Sequence, residues 1–263
     1  MEDKEQRLRT ILRGFDGAVV AFSGGVDSSL LLSFAVEELG GRVLAATAVS
    51  ETLPPGELDG ARLVAELLGA RHRLLETAEL SCPEFAANTP RRCYHCKREL
   101  FGKLREVARA AALAAVLDGT NADDARDWRP GRDAARELGV RSPLLEAGLT
   151  KEEIRALARR RGLPNWDKPA EPCLSSRIPY GTPITPPVLE QVRRAETYLK
   201  SFLPGPLRVR HHGELARLEL GPAAWETASR RREEIHRALR ELGYTYVTLD
   251  LAGYRPGSLN ETI

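Results

Sequence analysis

The fold is decided by the stretch Ser23-Gly24-Gly25-Val26-Asp27-Ser28-Ser29. An apolar run at residues 17–22, typical of a buried parallel strand, precedes it, and a helix predicted over residues 28–38 follows it. A strand, a glycine-rich turn and a helix in this order direct unpaired backbone N–H groups and the positive end of the helix dipole at an anion. The sequence therefore predicts a pyrophosphate-binding loop.

The side chains of this loop favour ATP chemistry. Asp27 is predicted to hold a magnesium ion on the leaving pyrophosphate, and Ser23, Ser28 and Ser29 to donate hydroxyl hydrogen bonds to its oxygens. The motif has no Walker lysine, so it does not indicate a kinase or GTPase element. An ordinary glycine-rich turn is the alternative, and the serines and the aspartate disfavour it.

Strands and helices alternate outward from the loop. Further strands are predicted over residues 43–49, 72–75 and 115–118, and helices over residues 3–12, 58–68, 90–115, 132–138 and 151–161. This order predicts an α/β fold with a doubly wound parallel sheet, whose ligands bind at the carboxyl ends of the strands. A second polar loop, Asp118-Gly119-Thr120-Asn121-Ala122-Asp123-Asp124, lies at such an end; a simple helix N-cap loop is its alternative.

The second half of the chain differs from the first in its proline content and in the order of its predicted elements. Prolines punctuate residues 164–187 and disfavour regular structure there. Beyond them a helix, two strands, a helix and a strand are predicted over residues 187–202, 207–211, 215–220, 223–242 and 244–249, which indicates a smaller C-terminal α+β domain. The predicted domains are residues 1–165 and 187–263, joined by a functional linker, residues 166–186, that carries Cys173.

Composition narrows the classes of partner. The 263 residues include 39 Lys and Arg against 37 Asp and Glu, and this near-neutral balance argues against a dedicated nucleic-acid binder. No apolar run approaches the roughly 18 residues of a membrane span, and the N-terminus lacks a signal-peptide pattern. We therefore expect a cytoplasmic protein without a membrane partner, whose four cysteines are too few for a disulfide scaffold.

The cysteines suggest a metal centre. Cys93 and Cys96 share a face of a predicted helix, and together with Cys173 they would leave one iron of a 4Fe-4S cluster without a protein ligand, free to carry a sulfide. Three alternatives stay open: a structural zinc that also uses His95 or Cys82, a redox pair, and buried inert thiols. Cys82, without an evident partner, is interpreted as inert.

The two polar loops resemble the signature of the PP-loop ATP pyrophosphatases, which include GMP, NAD and asparagine synthetases and tRNA thiolases. Over the whole chain from the first loop onward, the sequence resembles the LarE family of sulfur transferases. Apart from the loop, the segments that carry this resemblance are Asn88-Thr89-Pro90, Trp128-Arg129-Pro130-Gly131, residues 173–182, Leu207-Arg208-Val209-Arg210, and residues 246–251 before Gly253-Tyr254-Arg255.

The resemblance implies a reaction in two halves. ATP adenylates a carboxylate of a pyridinium-3,5-dicarboxylate mononucleotide with release of pyrophosphate, and a sulfur nucleophile then displaces AMP to leave a thiocarboxylate. The product belongs to the biosynthesis of the nickel-pincer nucleotide of lactate racemase. The implied partners are this nucleotide-like substrate, other proteins of that biosynthesis, and further copies of the chain in a homo-oligomer.

The resemblance also implies functional residues. Cys173 and Asp27 become the catalytic candidates. Contacts to ATP are expected from Ala21, Ser23, Gly24, Gly25, Asp27, Ser28, Ser29, Ala48 and Gly119. Contacts to the substrate are expected from Ser176, Arg177, Arg208 and Arg210, with a solvated basic strand face as the alternative for the arginines. Glu196 and Glu219 are expected to bind a divalent metal or to form surface ion pairs, and Trp128 and Trp166 to be core or lid residues.

The source of the sulfur separates two branches of that family. In the sacrificial branch, the cysteine at the position of Cys173 gives up its own sulfur, and that branch lacks the pair at Cys93 and Cys96. We therefore favour Cys173 as a cluster ligand, with ATP, Mg²⁺ and a 4Fe-4S cluster as the cofactors. A PP-loop tRNA thiolase and an ATP-binding regulatory protein without turnover are the alternative functions.

Overall fold

The computed structural model describes residues 1–126 and 130–255. The chain forms two compact units. The first unit comprises Met1–Ser50, Gly56–Phe85 and Arg91–Lys168, and the second comprises Glu51–Pro55, Ala86–Pro90 and the chain from Pro169 onward. Trp128, for which a core or lid role was predicted, lies outside the described residues. No described helix is both long enough and apolar enough to cross a bilayer.

The first unit alternates strands with helices. Its strands are β1 Ala18–Ala21, β2 Val43–Val49, β3 Arg71–Glu76 and β4 Ala115–Leu117. Its helices are α1 Glu2–Arg13, α2 Val26–Leu39, α3 Glu57–Leu67, α4 Pro83–Ala86, α5 Arg92–Ala110, α6 Gly131–Glu137, α7 Pro143–Glu146 and α8 Lys151–Arg160. The four strands form one parallel sheet in the order β3-β2-β1-β4.

Helices cover both faces of this sheet. Ala18 and Val20 of β1 pack in a core that includes residues of α1, α2, α3 and α8, while Val19 packs on the opposite face with Phe101 and Leu104 of α5. A strand buried on both faces is apolar at every position, and residues 18–20 show that pattern. The predicted doubly wound α/β fold is confirmed.

The second unit contains a small mixed sheet. Its elements are α9 Pro186–Lys200, β5 Leu207–His212, β6 Leu215–Leu220, α10 Trp225–Arg230, α11 Arg232–Glu241 and β7 Tyr246–Leu249. The strand order is β5-β6-β7, with an antiparallel first pair and a parallel second pair. The single helix predicted over residues 223–242 is divided at Arg231, whose ψ of 18° leaves helical geometry. The predicted smaller α+β domain is confirmed.

The proline-rich stretch is irregular, as predicted. Between α8 and α9 the described chain has one helical turn, a 3-10 turn at Leu174–Arg177, immediately after Cys173. In β5, Leu207 and Val209 belong to the apolar core of the unit, so Arg208 and Arg210 lie on the other face of the strand. The two arginines are therefore on the same side of the sheet.

Candidate functional site

The phosphate loop links the end of β1 to the start of α2. The Ser28 hydroxyl donates a hydrogen bond to the carbonyl of Gly25 (3.1 Å) and accepts one from the backbone N–H of Ser23 (3.3 Å). The Ser23 hydroxyl accepts from the backbone N–H of Gly25 (3.3 Å) and lies 3.2 Å from the Ser28 oxygen. The hydrogen bonds of the Ser23 and Ser28 hydroxyls therefore stabilise the tight turn of the loop at the N-terminus of α2.

Two glycines permit close approaches at this loop. Gly24 has a φ of +72°, and a Cβ there would lie 2.8 Å from the Ala61 Cα. A Cβ on Gly119 would lie 3.0 Å from the Ser28 backbone nitrogen and 3.3 Å from the Asp27 Cβ. Gly119 thus lets the loop after β4 lie directly against the start of α2, which brings the two predicted polar loops together.

Asn165 fastens the loop from its far side. Its side-chain Nδ2 donates to the carbonyl of Gly24 (2.8 Å) and to the Ser29 hydroxyl (2.9 Å). Phe22, the residue that follows β1, is also held in place, because its carbonyl accepts a hydrogen bond from the Thr47 hydroxyl (2.7 Å). The loop is therefore held by hydrogen bonds at both ends as well as by its own serines.

Asp27 is the carboxylate of the loop. Its Oδ2 lies 2.5 Å from Lys151 Nζ, and its Oδ1 accepts from Asn121 Nδ2 at 3.4 Å. The Asp27 and Lys151 side chains are 25% and 33% exposed, so the ion pair is partly open to solvent. A single partly exposed carboxylate among hydroxyls fits Mg²⁺, which keeps several waters and is bound through few carboxylates plus substrate phosphates.

The second polar loop is mostly hydrogen-bonded to itself. The Asp118 carboxylate accepts from the Thr120 backbone and hydroxyl (3.2 and 2.8 Å) and from the Ser142 hydroxyl (2.6 Å). The Asn121 Oδ1 accepts from the backbone N–H groups of Asp123 and Asp124 (2.9 and 3.2 Å). The loop therefore presents Gly119 and the Asn121 amide to Asp27, while the Asp118 side chain supports its own turn.

The remaining ATP candidates in the first unit lie at strand ends. Ala21 is the last residue of β1, Ala48 is next to last in β2, and both are half-buried. Because β1 and β2 are parallel and adjacent, their carboxyl ends meet at one edge of the sheet, next to the phosphate loop.

The cysteines of the first unit form no disulfide. Cys93 is exposed and Cys96 half-buried, one turn apart at the start of α5. A Cβ on Gly131 would lie 2.9 Å from Lys97 Cγ and 3.4 Å from the Cys93 carbonyl, so this glycine lets α6 begin close to the cysteine turn. Cys82, interpreted above as inert, donates to Glu84 Oε2 at 3.2 Å, and its role stays a prediction.

In the second unit, Arg177 fixes the backbone around Cys173. Its Nη1 donates to the carbonyl of Pro172 (2.6 Å), to that of Cys173 (3.4 Å) and to the Ser176 hydroxyl (3.0 Å). The Ser176 backbone N–H in turn donates to the Cys173 carbonyl (2.9 Å). The half-buried Cys173 therefore stands at the entrance of a turn that is held by a guanidinium.

The same guanidinium forms a buried ion pair with Glu196. Nε and Nη2 of Arg177 donate to the two carboxylate oxygens at 2.8 and 3.1 Å, and both side chains are 0% exposed. Burial alone lowers the pKa of Arg177, but the carboxylates of Glu196 and Glu171 outweigh burial and raise the pKa overall. Glu196 also accepts from the Val209 backbone N–H at 3.2 Å, which ties α9 to β5.

Arg210 forms a second buried pair, with Glu219. Their side chains meet at 2.8 Å, and Arg210 Nη1 also donates to the Ser176 carbonyl at 2.5 Å. Arg217 lies 3.5 Å from the other Glu219 oxygen and 2.5 Å from Asp250. Burial contradicts both alternatives weighed above: the arginines do not form a solvated strand face, and the Glu196 and Glu219 ion pairs are not on the surface.

Arg208 differs from its neighbours. It is 4% exposed, its Nη2 donates to the Tyr254 hydroxyl at 3.1 Å, and its guanidinium stacks 4.7 Å from the Tyr254 ring centroid. Within residues 1–126 and 130–255 it has no carboxylate partner, and its buried Nε has no hydrogen-bond acceptor. Burial lowers the pKa of Arg208, partly offset by Tyr254 and by the carboxylate of Glu171. A buried cation that forms no ion pair among the described residues is suited to an anionic ligand.

Comparisons with known proteins agree with this geometry. The asparagine synthase family matches residues 11–125, which include both polar loops. An uncharacterized protein of Synechocystis sp. is 44% identical over 100% of this chain and 99% of its own length. The pyridinium-3,5-bisthiocarboxylic acid mononucleotide synthase of Lactiplantibacillus plantarum is 41% identical over 99% of this chain and 95% of its own length. The chain belongs to the LarE family, that of the synthase.

A more distant relative covers a smaller share of this LarE-family chain. The NH(3)-dependent NAD(+) synthetase of Mannheimia succiniciproducens is 28% identical over 168 residues, 60% of this chain and 66% of its own length. That relative and the asparagine synthase match support a PP-loop ATP-using domain, while the synthase of the LarE family is similar over nearly the whole chain.

Sequence reasoning missed three residues that contact the predicted functional residues of one or the other unit. Lys151 and Asn165 reach the phosphate loop from 124 and 141 positions away, and Tyr254 reaches Arg208 from 46 positions away. Lys151 follows Thr150, a helix-capping residue, so the sequence could have indicated its position at the start of α8. For Asn165, the only available signal was its place beside Pro164 in the irregular stretch.

Proposed function

We propose that this LarE-family chain is an ATP-dependent sulfur transferase acting on a pyridinium-3,5-dicarboxylate mononucleotide. A substrate carboxylate oxygen attacks the α-phosphorus of ATP and pyrophosphate leaves; a sulfur nucleophile then attacks the carboxyl carbon, AMP leaves with the oxygen, and a thiocarboxylate results. The observation that carries the proposal is the hydroxyl-lined phosphate loop with Asp27, in a chain 41% identical to a pyridinium-bisthiocarboxylic acid mononucleotide synthase.

The phosphate loop performs the first half-reaction in this proposal. The backbone of Gly24 and Gly25 and the hydroxyls of Ser23, Ser28 and Ser29 bind the β- and γ-phosphates and stabilise the pyrophosphate as it leaves. Ala21, Ala48 and Gly119 line the space for the nucleoside at the strand ends. Lys151, already paired with Asp27, holds that carboxylate until magnesium takes its place.

Magnesium would be held by Asp27. When bound, it neutralises charge on the phosphates and so makes pyrophosphate a better leaving group. A second metal role, for Glu196 and Glu219, stays a prediction. A cation there has to compete with the guanidinium groups of Arg177 and Arg210 for the same oxygens.

The three buried arginines Arg177, Arg208 and Arg210 have different roles toward the substrate in this proposal. Arg208 binds the phosphate or a carboxylate of the mononucleotide, because it is the buried guanidinium without a carboxylate partner among the described residues. Ser176, half-buried in the same unit, donates to the same anion. Arg177 holds the turn that carries Cys173, and substrate contact by Arg177 or Arg210 requires either to exchange its glutamate for the ligand.

The sulfur donor in this proposal is a 4Fe-4S cluster held by Cys93, Cys96 and Cys173. Two thiols one helical turn apart suit two irons of a single cluster, and three thiolates leave the fourth iron open. When bound, the cluster supplies the sulfide that replaces AMP, so Cys173 serves as a ligand and keeps its own sulfur. The Arg177 hydrogen bond to the Cys173 carbonyl orients that ligand.

The reaction is tested with the full chain under anaerobic conditions. ATP, Mg²⁺ and the dicarboxylate mononucleotide should yield pyrophosphate, AMP and a product whose mass shows exchange of oxygen for sulfur. Asp27→Asn should lower pyrophosphate release on the order of 100-fold, since an electrostatic contact to the transition state is lost. The matched control is Asp59→Asn, at a carboxylate of α3 that is 84% exposed. Absence of substrate-dependent pyrophosphate release would refute the proposal.

The donor is tested by iron and sulfide analysis and by the mass of Cys173 after turnover. The cluster predicts iron, acid-labile sulfide, multiple turnovers and an unchanged cysteine. Single turnover, with loss of one sulfur from Cys173 and no iron, would assign the sacrificial chemistry instead. Cys93→Ser should remove the iron signal without the loss of folding that a core substitution causes, because Cys93 is exposed.

We further propose that the chain acts as a cytoplasmic homo-oligomer that passes its product to other proteins of nickel-pincer nucleotide biosynthesis. Support for this comes from family membership alone. Light scattering of the purified chain measures the oligomer directly, and a mass equal to one chain, 29.0 kDa, would refute it.

A further inference from the structure

A second group of metal-binding side chains lies in the first unit, apart from the residues used above. Cys82 follows the 3-10 turn Glu79–Ser81, Glu84 lies in the short helix α4, and His95 lies in α5. One ligand atom from each, the Cys82 Sγ, a Glu84 carboxylate oxygen and a His95 ring nitrogen, lie within 4.8 Å of one another. Within the described part of the chain, no other group of three such side chains has this spacing.

The backbone turn around Cys82 fixes two of these side chains, those of Cys82 and Glu84, close together. The Cys82 N–H donates to the Glu79 carbonyl (3.1 Å), and the Cys82 carbonyl accepts from the Phe85 N–H (3.0 Å). Phe85 is 2% exposed and anchors this tight turn, so Cys82 and Glu84 project from a fixed frame. The Cys82 thiol already donates to Glu84 Oε2 at 3.2 Å.

His95 approaches from a different element. It stands on the first turns of α5, and its ring packs edge-on against Tyr94, with centroids 5.3 Å apart. Tyr94 is in turn held by a hydrogen bond from its hydroxyl to Glu137 (2.7 Å). The group therefore joins the turn at α4 to the start of α5.

The donor set favours zinc. Thiolate sulfur, imidazole nitrogen and carboxylate oxygen are the three zinc donors of proteins, at about 2.3, 2.0 and 2.1 Å from the metal. Around one tetrahedral ion such atoms lie roughly 3.3 to 3.7 Å apart. The present spacing, within 4.8 Å, closes to that geometry by side-chain rotation of about 1 Å.

We propose that Cys82, Glu84 and His95 bind one zinc ion, whose fourth coordination position is left to water. On binding, the thiol of Cys82 releases its proton to solvent, and the Glu84 carboxylate and the neutral His95 imidazole each contribute a lone pair. The site needs neither ATP nor the dicarboxylate substrate. It is also distinct from the cluster assigned to Cys93, Cys96 and Cys173.

Cobalt titration of the chelator-treated full chain tests the site, in the absence of iron, sulfide and ATP. Co²⁺ should bind at one equivalent with a thiolate-to-cobalt charge-transfer absorption and should be displaced by Zn²⁺. The double variant Cys93→Ser/Cys96→Ser should keep this absorption. Cys82→Ser should abolish it, and Glu84→Gln and His95→Gln should each weaken cobalt binding by at least about tenfold. The exposed His236→Gln is the matched histidine control.

Two results would overturn the proposal. One is charge-transfer absorption that survives Cys82→Ser and disappears in the double variant, which would assign the metal to the Cys93 and Cys96 thiols. The other is no cobalt binding by the intact chain. Loss of absorption caused by misfolding is excluded by alkylation of the unaltered protein: Zn²⁺ should slow modification of Cys82, and unchanged reactivity of Cys82 would refute the site. Neither measurement involves sulfur transfer, so failure here leaves the proposed function intact.

Discussion

The phosphate loop and the arginine cluster of the second unit bind charge in opposite ways. At the loop, Asp27 and Lys151 form a pair that is partly exposed, and the surrounding contacts are neutral hydroxyl and backbone hydrogen bonds. In the cluster, Arg177, Glu196 and Glu219 are completely buried and are held by charge-assisted hydrogen bonds within the chain. The charged groups of the loop can therefore exchange partners, whereas those of the cluster form a structural scaffold.

The physical reason for this contrast is solvation. A partly exposed ion pair contributes little, because water replaces either partner at small cost, so a ligand can replace it as well. A buried charge that loses its partner keeps the full desolvation penalty, so its partners are effectively permanent. Arg208 stands between these cases, because it is buried like the scaffold but lacks its own carboxylate among the described residues. Variants of the cluster should therefore change stability, and variants of the loop should change activity.

The largest effect is expected at Glu196. Glu196→Gln leaves the buried Arg177 guanidinium with Glu171, at 3.4 Å, as its remaining carboxylate and should lower the free energy of unfolding by about 3 to 5 kcal/mol. Urea unfolding followed by circular dichroism measures this. Glu233→Gln, at a carboxylate that is 81% exposed, is the control and should change stability by less than about 0.5 kcal/mol. Equal stability of the two variants would mean that the cluster is no scaffold.

Gly24→Ala should give the next largest effect, now on activity. The new Cβ would lie 2.8 Å from the Ala61 backbone at a φ of +72°, so the loop must shift, and ATP-dependent pyrophosphate release should fall on the order of 100-fold. Gly102→Ala in α5 is the matched control, because nothing lies within 4 Å of its Cβ position. Retention of activity by Gly24→Ala, measured beside that control, would contradict the geometry of the loop.

A smaller effect is expected at Lys151. Lys151→Met frees Asp27 from its lysine, so the Mg²⁺ concentration needed for half-maximal ATP binding should fall by about 2- to 5-fold, the range of a partly exposed ion pair. Binding is followed by the rise in thermal midpoint as Mg²⁺ is titrated at fixed ATP. Lys168→Met, whose amine pairs with Glu57, is the control. An increased Mg²⁺ requirement would show that Lys151 acts chiefly on ATP and does not compete with the metal.

The smallest effect concerns pH. Burial lowers the pKa of His211 from its ordinary value of 6.5, with a further contribution from His212. The unfolded chain therefore binds more protons at mildly acidic pH, and stability that is present above about pH 6.5 is lost as the pH falls. His211→Asn, which preserves a polar group opposite Tyr244, should make this loss shallower in urea unfolding. His236→Asn, at an exposed site, should not change it. A slope unaltered by His211→Asn would assign the acid sensitivity to other groups.

The local parts of the first unit were predictable. A strand, glycines and a helix follow one another without interruption at residues 18–39, so hydrogen-bonding and anion-binding tendencies could be inferred from neighbours in sequence. The close approach of Gly119 to Ser28 follows from two adjacent parallel strands that end at one edge. Contacts that depend on the end of a distant helix, such as Lys151 on Asp27, leave no such local pattern.

Chain segments that join the other unit were also hidden from the sequence. Residues 51–55 and 86–90 belong to the second unit, although they are surrounded in sequence by the first. Asn88 shows the cause: it is 0% exposed, and its side chain donates to the carbonyls of Pro179 and Thr182, both at 2.8 Å. A buried amide that binds backbone about ninety positions away has no periodicity to reveal it.

Burial of the arginine cluster was missed for a different reason. The alternation in Leu207-Arg208-Val209-Arg210 predicts one apolar and one polar face, and a polar face of a strand is ordinarily solvated. In the structure that face is covered by the turn before Arg177 and by Glu196 of α9. The pattern gave the correct face, but only tertiary structure shows whether water reaches it.

The hydrogen bonds of Asn165 to Gly24 and Ser29 set an order of events during synthesis. The residue that fastens the loop emerges 141 positions after Gly24, and at about 5 to 20 residues per second the ribosome takes roughly 7 to 28 seconds to reach it. In that interval the N-terminal strands and α2 can form, but the loop lacks its last two hydrogen bonds. A nascent chain therefore acquires a complete nucleotide site only after almost the entire first unit has been translated.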